Sequence, residues 1–168
     1  ISNYVMLETG QPLHFYDLDR LGDTIVVREA IAGEKLTTLD GVERTLSTDD
    51  IVIANKDEAI GLAGVMGGLS TEVENDTRNI LIESAIFDSI SVRLTSKKIL
   101  RSEASNRFEK GLDPKRTYMA IERSCALLAK YADATIIDDI TVYDTLENNE
   151  KIIDIDVIDV NKLLGLDI

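Results

Sequence analysis

Between residues 24 and 62 the chain carries five short apolar or β-branched runs, at 24–29, 35–39, 42–46, 51–55 and 59–62. Each is closed by Gly, Asp, Asn or Ser within a few residues, so none is long enough for a stable helix. Branching at Cβ stiffens χ1 and suits a pleated surface, which makes these runs strands. The second and third flank Asp40-Gly41, predicting a two-residue type I′ hairpin turn. A glycine-rich bend, AGVMGGLS, follows, and residues 79–87 read as a buried strand. Helical signals come next. Asp88 is placed to cap a helix running to about Ile99, and Pro114 stands in the first turn of a longer one. Tyr118, Ile121, Cys125 and Leu128 recur at spacings of three and four, predicting one apolar stripe with Cys125 as a small buried hydrophobe. The first 20 residues read as a short helix, a Gly10-Gln11-Pro12 turn and another helical turn. Strands first and helices after define an α+β fold. The expected architecture is short-stranded mixed or antiparallel sheets packed with segregated helices, one of them long and in the C-terminal half.

At 168 residues the chain is about one domain. After Ala132 the pattern turns back to strands, at 134–143 and 151–157, around a polar loop at 144–150. Asp159 then caps a helix that Gly165 stops. The expected division is a domain over 1–146 and the beginning of a further module over 147–168. The lack of an initiator Met fits a piece of a longer chain.

Several classes of function are excluded. One Cys and one His leave no disulfide framework and no Cys/His zinc site. No apolar run approaches the ~18 residues of a membrane span, and no signal-peptide pattern opens the chain, so a reducing, cytoplasmic setting is expected. The motifs GxxxxGK[ST], GxGxxG, GxSxG and HExxH are absent. A net charge of −13 argues against nonspecific nucleic-acid binding by the whole surface. Residues 93–130 nevertheless hold ten basic against four acidic side chains, a local +6 suited to one specific polyanion or to solvated helix faces.

Four features could carry chemistry. His14 follows a rigid proline turn and could orient water or stabilise an oxyanion, or simply bond a neighbouring carbonyl. Gly64, Gly67 and Gly68 either admit a ligand close to the backbone or make a tight turn. Glu83 lies in the apolar run ILIESAIF, where a carboxylate is costly to bury without a partner. That partner is an arginine or a ligand donor. Ser102 or Glu103 begins a helix whose N–H groups favour anions or carbonyl oxygens, and Arg107 and Lys110 lie close by.

Taken in order, NYVMLETGQPLHFYDLDRL, TLDG, GLAGVMGG, NILIESAIFD and RSEASNRFEKGLDP resemble the editing region of the bacterial phenylalanyl-tRNA synthetase beta subunit. The likeness is dense from Ser2 to about Pro114 and looser beyond, with DVNKLLGLDI resembling the start of the next module. It implies hydrolysis of tyrosine wrongly esterified to the phenylalanine tRNA, without a protein nucleophile. It implies His14, Asn3 and Glu83 as catalytic-site residues, and Ser2, Gly64, Gly67, Glu83, Ser102 and Ala104 as the substrate pocket. No metal is implied. Ser2 and Ser102 stand where the family has Thr, and Phe15 where it has Ala. The parent enzyme implied is an α₂β₂ assembly using ATP and magnesium, with aminoacylation on the alpha subunit and no cofactor in this piece. The competing expectation is a noncatalytic RNA-binding or interaction module of the same synthetase.

Overall fold

The computed structural model describes residues 1–137, 140–146 and 152–166. It divides into two compact units, residues 1–136 and a second beginning at Ile137. The fold is α+β, as expected.

In the first unit, helix α1 (Ser2–Thr9) ends at Gly10, whose φ of 80° is the left-handed geometry that closes a helix C-terminus. Buried Gln11 then pins the turn by donating from Nε2 to Pro12 O (3.2 Å) and Ala85 O (2.8 Å). Strand β1 (His14–Asp17) follows, then α2 (Leu18–Leu21), capped by Asp17, which accepts from the N–H groups of Asp19 and Arg20. The second Asp17 oxygen accepts from Thr77 Oγ1 at 2.6 Å. The helical turn expected after Gly10-Gln11-Pro12 is therefore delayed by a strand. HFYD is extended because it pairs antiparallel with β8 (Ile80–Glu83), a partner more than 60 residues away.

The early runs form β2 (Val26–Glu29), β3 (Lys35–Thr37), β4 (Glu43–Thr45), β5 (Ile51–Ala54) and β6 (Ala59–Leu62), with β7 (Met66–Gly67) inside the glycine-rich bend. One sheet has the order β2-β5-β6-β7, and β3-β4 is a separate hairpin. The turn between β3 and β4 corrects the expectation. Only Gly41 has positive φ (76°), Gly41 N–H closes on Thr38 O, and Thr38 N–H bonds Val42 O. The result is a three-residue loop with a left-handed glycine at its end. Asp40 keeps negative φ and instead accepts from Thr38 Oγ1 and Arg44 Nη2, both at 2.6 Å.

Strands β5 and β6 are buried on both faces, which is why they read as continuous apolar runs. On one side Val52 and Leu62 pack with Leu36, Leu46, Val65, Val92 and Phe108. On the other, Ile53 and Ile60 pack with Tyr16, Leu21 and Ala63, which seats the β1–β8 ribbon against the sheet. The single buried strand expected over 79–87 is shorter: only four residues are strand, and those are half-buried.

Helix α3 (Ser89–Lys98) is capped by Asp88 as predicted, α4 (Glu103–Phe108) by Ser102, and α5 (Lys115–Ala132) starts after Pro114. The buried face of α5 is Ala120, Ser124, Leu127 and Leu128, which shares only Leu128 with the predicted stripe. Tyr118 is half exposed and Cys125 only partly buried. Small residues win this face because α5 packs closely on α1, where Ala120 and Leu127 meet Val5. Arg123 clamps the same pair, reaching Glu8 at 2.6 and 2.9 Å.

The second unit contains α6 (Val157–Leu164), which Gly165 terminates in the left-handed region as expected. Its cap is Asp156, not Asp159, because the helix begins one turn earlier. Of the expected strands at 134–143 and 151–157 and the loop at 144–150, residues 138, 139 and 147–151 lie outside the described residues. The described remainder of 134–146 and 152–156 is irregular.

One buried cluster ties α3 to the sheet. Asp50, 1% exposed, accepts from Ser47 N (2.9 Å), Thr95 Oγ1 (2.9 Å) and Lys98 Nζ (2.6 Å). Removing a buried charge that satisfies several donors leaves them stranded. Asp50→Ala is expected to cost about 3 kcal/mol in urea unfolding; a loss under about 1 kcal/mol would mean the cluster is dispensable.

Candidate functional site

The antiparallel register places His14 directly opposite Glu83 and Tyr16 opposite Leu81, so all four share one face of the β1–β8 ribbon. Phe15, opposite Ile82, lies on the other face of the ribbon from His14 and Glu83. The imidazole of His14 meets the ring of Tyr16 edge-on, with centroids 4.4 Å apart. The Tyr16 hydroxyl donates to Glu83 Oε2 at 2.5 Å. No hydrogen bond reaches Glu83 Oε1 among the described residues. His14 Nε2 is buried and likewise without a partner among them.

In place of the arginine weighed from the sequence, the donor on Glu83 Oε2 is a phenol of the chain itself. Tyr16 was missed because the contact exists only once HFYD is a strand. The available signal was the i, i+2 spacing of His14 and Tyr16, which puts both on one strand face.

Burial dominates the electrostatics. It pushes the Glu83 carboxyl up to about 7, with the Tyr16 hydrogen bond pulling the other way. It lowers His14 to about 4, leaving a neutral imidazole at neutral pH. The Tyr16 phenol is held well above its usual range by burial and by the adjacent carboxylate.

Gly67 backs this cluster. A Cβ there would sit 2.3 Å from His14 Cε1 and 2.7 Å from Nε2, so only glycine lets β7 lie against the imidazole. Gly68 is fixed by an equally close approach: its Cβ would fall 2.5 Å from Ile60 O. Gly64 serves a different purpose. It has φ of +68° in the turn that Val65 N–H closes on Leu62 O. The space for a Cβ there is already taken by Val92, Phe108 and Phe87.

The Ser102 hydroxyl accepts from Ser105 N–H, and Ser105 Oγ accepts from Ser102 N–H, a capping box at the start of α4. Ser102 Oγ also donates to Val65 O at 2.6 Å, fastening α4 to the glycine bend two residues before Gly67. Ala104 is partly buried against the main core. Ser2 and Asn3 occupy the first turn of α1; Asn3 is exposed and makes no side-chain hydrogen bond among the described residues. The structure therefore joins His14, Tyr16, Glu83 and Gly67 in one cluster and Ser102 to it through the bend. It does not join Ser2, Asn3 or Gly64 to these side chains by any hydrogen bond. Among the described residues there is no group of three His, Cys, Asp or Glu suited to a metal ion. No helix among them is long and apolar enough to cross a membrane.

An α+β domain with this bend and this ribbon has a family. The profile of the B3/4 domain matches residues 1–133, and the chain belongs to that family. Over its whole length it is 49% identical to a protein of Bacillus cereus named phenylalanine--tRNA ligase beta subunit. It is 50% identical to a protein of the same name in Staphylococcus aureus. The chain spans 21% of the length of each of these relatives. The likeness seen in the ordered motifs thus extends over every part of the chain.

The two shifted groups affect stability with opposite signs. His14 is about 4 when folded against 6.5 unfolded, so its contribution is complete above pH 6.5 and is lost as pH falls toward 4. Glu83 is about 7 against 4.5, so its contribution is complete below pH 4.5 and is lost as pH rises through 7. His14 is the only histidine, so one imidazole signal reports it; NMR titration should give a midpoint near 4, and a midpoint near 6.5 would contradict its burial. Measured against wild type, Glu83→Gln should gain about 3 kcal/mol of stability between pH 4.5 and 7. A difference that stays flat with pH would refute the Glu83 assignment.

Proposed function

We propose that this chain is the editing domain of a phenylalanine--tRNA ligase beta subunit and hydrolyses the ester of tyrosine on the phenylalanine tRNA. The observation that carries the reading is Glu83: a partly buried carboxylate with one oxygen held by Tyr16, the other without a donor among the described residues, directly across the ribbon from His14. Tyrosine differs from phenylalanine by one hydroxyl, which an apolar pocket rejects weakly. A site built to bond that hydroxyl rejects the analogue lacking it far more strongly, because the carboxylate oxygen would then be desolvated without a donor.

In this reading the phenol donates to Glu83 Oε1 and the ring lies beside Gly67. A water molecule attacks the ester carbonyl carbon, the carbon–oxygen bond to the terminal adenosine breaks, and the ribose oxygen leaves with a proton. Free tyrosine and uncharged tRNA are the products. His14, neutral at working pH, is a poor proton donor and suits the task of accepting a hydrogen bond from that water. For Asn3, Ser2, Gly64 and Ala104 the support is the family resemblance. Ser102 additionally holds the bend that carries Gly67, and the N–H groups of Glu103 and Ala104, beyond the Ser102 N–H that the capping box engages, are assigned to the oxyanion.

The wider proposal rests on the family resemblance, to which the relatives' names add only a ligase beta subunit. The chain works within a cytoplasmic synthetase whose alpha subunit carries aminoacylation in an α₂β₂ assembly. ATP and magnesium serve that reaction and not the hydrolysis.

The test is deacylation of Tyr-tRNA and Phe-tRNA, both specific for phenylalanine, by this chain and by the assembled full-length enzyme. Tyrosine selectivity of order 10⁴ is expected, falling to within about tenfold of unity in Glu83→Ala. Undiminished selectivity in the variant would remove Glu83 from its role. RNA binding without hydrolysis in both preparations would favour the noncatalytic module, for which the basic stretch at 93–130 speaks.

A further inference from the structure

We propose that Tyr16 is a positioning residue for tyrosine discrimination: its phenol anchors one oxygen of Glu83 so that the other is presented, fixed, to the hydroxyl of the substrate. This rests on the editing reading above and adds a residue that neither the motifs nor the relatives' names single out. A glutamate side chain has three rotatable bonds and substantial rotamer entropy to lose on ordering. Among the described residues, the only hydrogen bond that restrains the Glu83 carboxylate is the one from Tyr16.

Tyr16 is itself immobile. It is 1% exposed, packed among Leu21, Ile53, Ile60 and Ala63, with its ring edge against His14. The strand register sets His14 and Glu83 opposite one another and Tyr16 two residues along the same face. A rigid phenol therefore reaches across the ribbon to a flexible carboxylate, and not the reverse. The arrangement is also economical in donors and acceptors. An ionised carboxylate accepts at both oxygens, so Tyr16 on Oε2 leaves Oε1 for a second phenol. When phenylalanine is offered, Tyr16 prevents Glu83 from turning away to relieve its missing bond, and the full penalty of the unpaired oxygen is felt.

The titratable groups facing Glu83 are His14 and Tyr16 from β1. From α2, Asp19 and Arg20 lie at the Ile80 end of the ribbon, engaged with Asn79, Asp17 and Glu74. From β7, uncharged Gly67 lies against His14. Removing the Tyr16 hydroxyl thus removes the hydrogen bond that favours ionised Glu83, without exchanging it for another charge.

Tyr16→Phe deletes that hydroxyl and keeps the ring, and three readouts test it. In this chain, carbon-13 NMR of the Glu83 carboxyl should show its midpoint rising by about one unit, while the single His14 signal stays in place and reports an intact fold. In deacylation, kcat/KM for the tyrosyl ester should fall about tenfold or more with the phenylalanyl ester unaffected, so that selectivity drops. On a Glu83→Ala background, Tyr16→Phe should add no further loss of selectivity. Selectivity unchanged in Tyr16→Phe, a Glu83 midpoint that does not move, or additive losses in the double variant would each overturn the role of Tyr16 and leave the editing reading standing. A wild-type enzyme that fails to discriminate would instead sink the editing reading, and this inference with it.

Discussion

The pairing of β1 with β8 is the constraint on which the rest of the site depends. It joins residues 14–17 to 80–83 across more than 60 residues of chain and fixes which side chains share a face. A slip of one residue would turn His14 and Tyr16 away from Glu83 altogether, because side chains alternate between the two faces of a strand. Two features hold the register. Buried Gln11 ties the preceding turn to Ala85 beyond the end of β8, and Tyr16 and Leu81 bury themselves against Ile53 and Ile60 of the sheet. The face that serves chemistry is therefore also a face that serves packing, and the carboxylate at its end is desolvated as a consequence.

Close approach of backbone to side chain supplies the second layer. Gly67 lies where any Cβ would collide with the imidazole, Gly68 where it would collide with the carbonyl of Ile60. The bend between them and Leu62 is fastened from outside by the Ser102 hydroxyl, which caps α4 and donates to Val65 O at once. One serine thus couples the start of a helix to the strand that backs His14. This gives Ser102 a defined mechanical function whatever it also contributes to ligand binding.

Much of the fold was legible because its signals are local. Cβ-branched runs bounded by turn residues located β2 through β6 to within two residues at either end, and Asp88, Ser102, Pro114 and Gly165 marked helix ends through capping chemistry that needs no tertiary context. What was illegible depends on partners distant in sequence. HFYD became a strand only by meeting β8, and the α5 face shifted to Ala120 and Ser124 because contact with α1 rewards small side chains over the larger, evenly spaced ones. The hairpin turn departs from expectation for a local reason: Asp40 keeps negative φ and turns its carboxylate to Thr38 and Arg44, which leaves a three-residue loop. Within the site, His14, Gly67 and Glu83 were visible as residue types out of keeping with their surroundings. Tyr16 was not, since an aromatic residue before an aspartate is ordinary until the strand pairing points it at a carboxylate.

The most direct test of the central claim, that Glu83 reads the substrate hydroxyl, is a crystal structure with a nonhydrolysable tyrosyl-adenosine analogue bound. The account predicts the ligand phenol within about 2.5–3.0 Å of Glu83 Oε1, its ring beside Gly67, and Tyr16 still on Oε2. A phenol directed elsewhere, or a Glu83 carboxylate turned away from an otherwise occupied site, would contradict it.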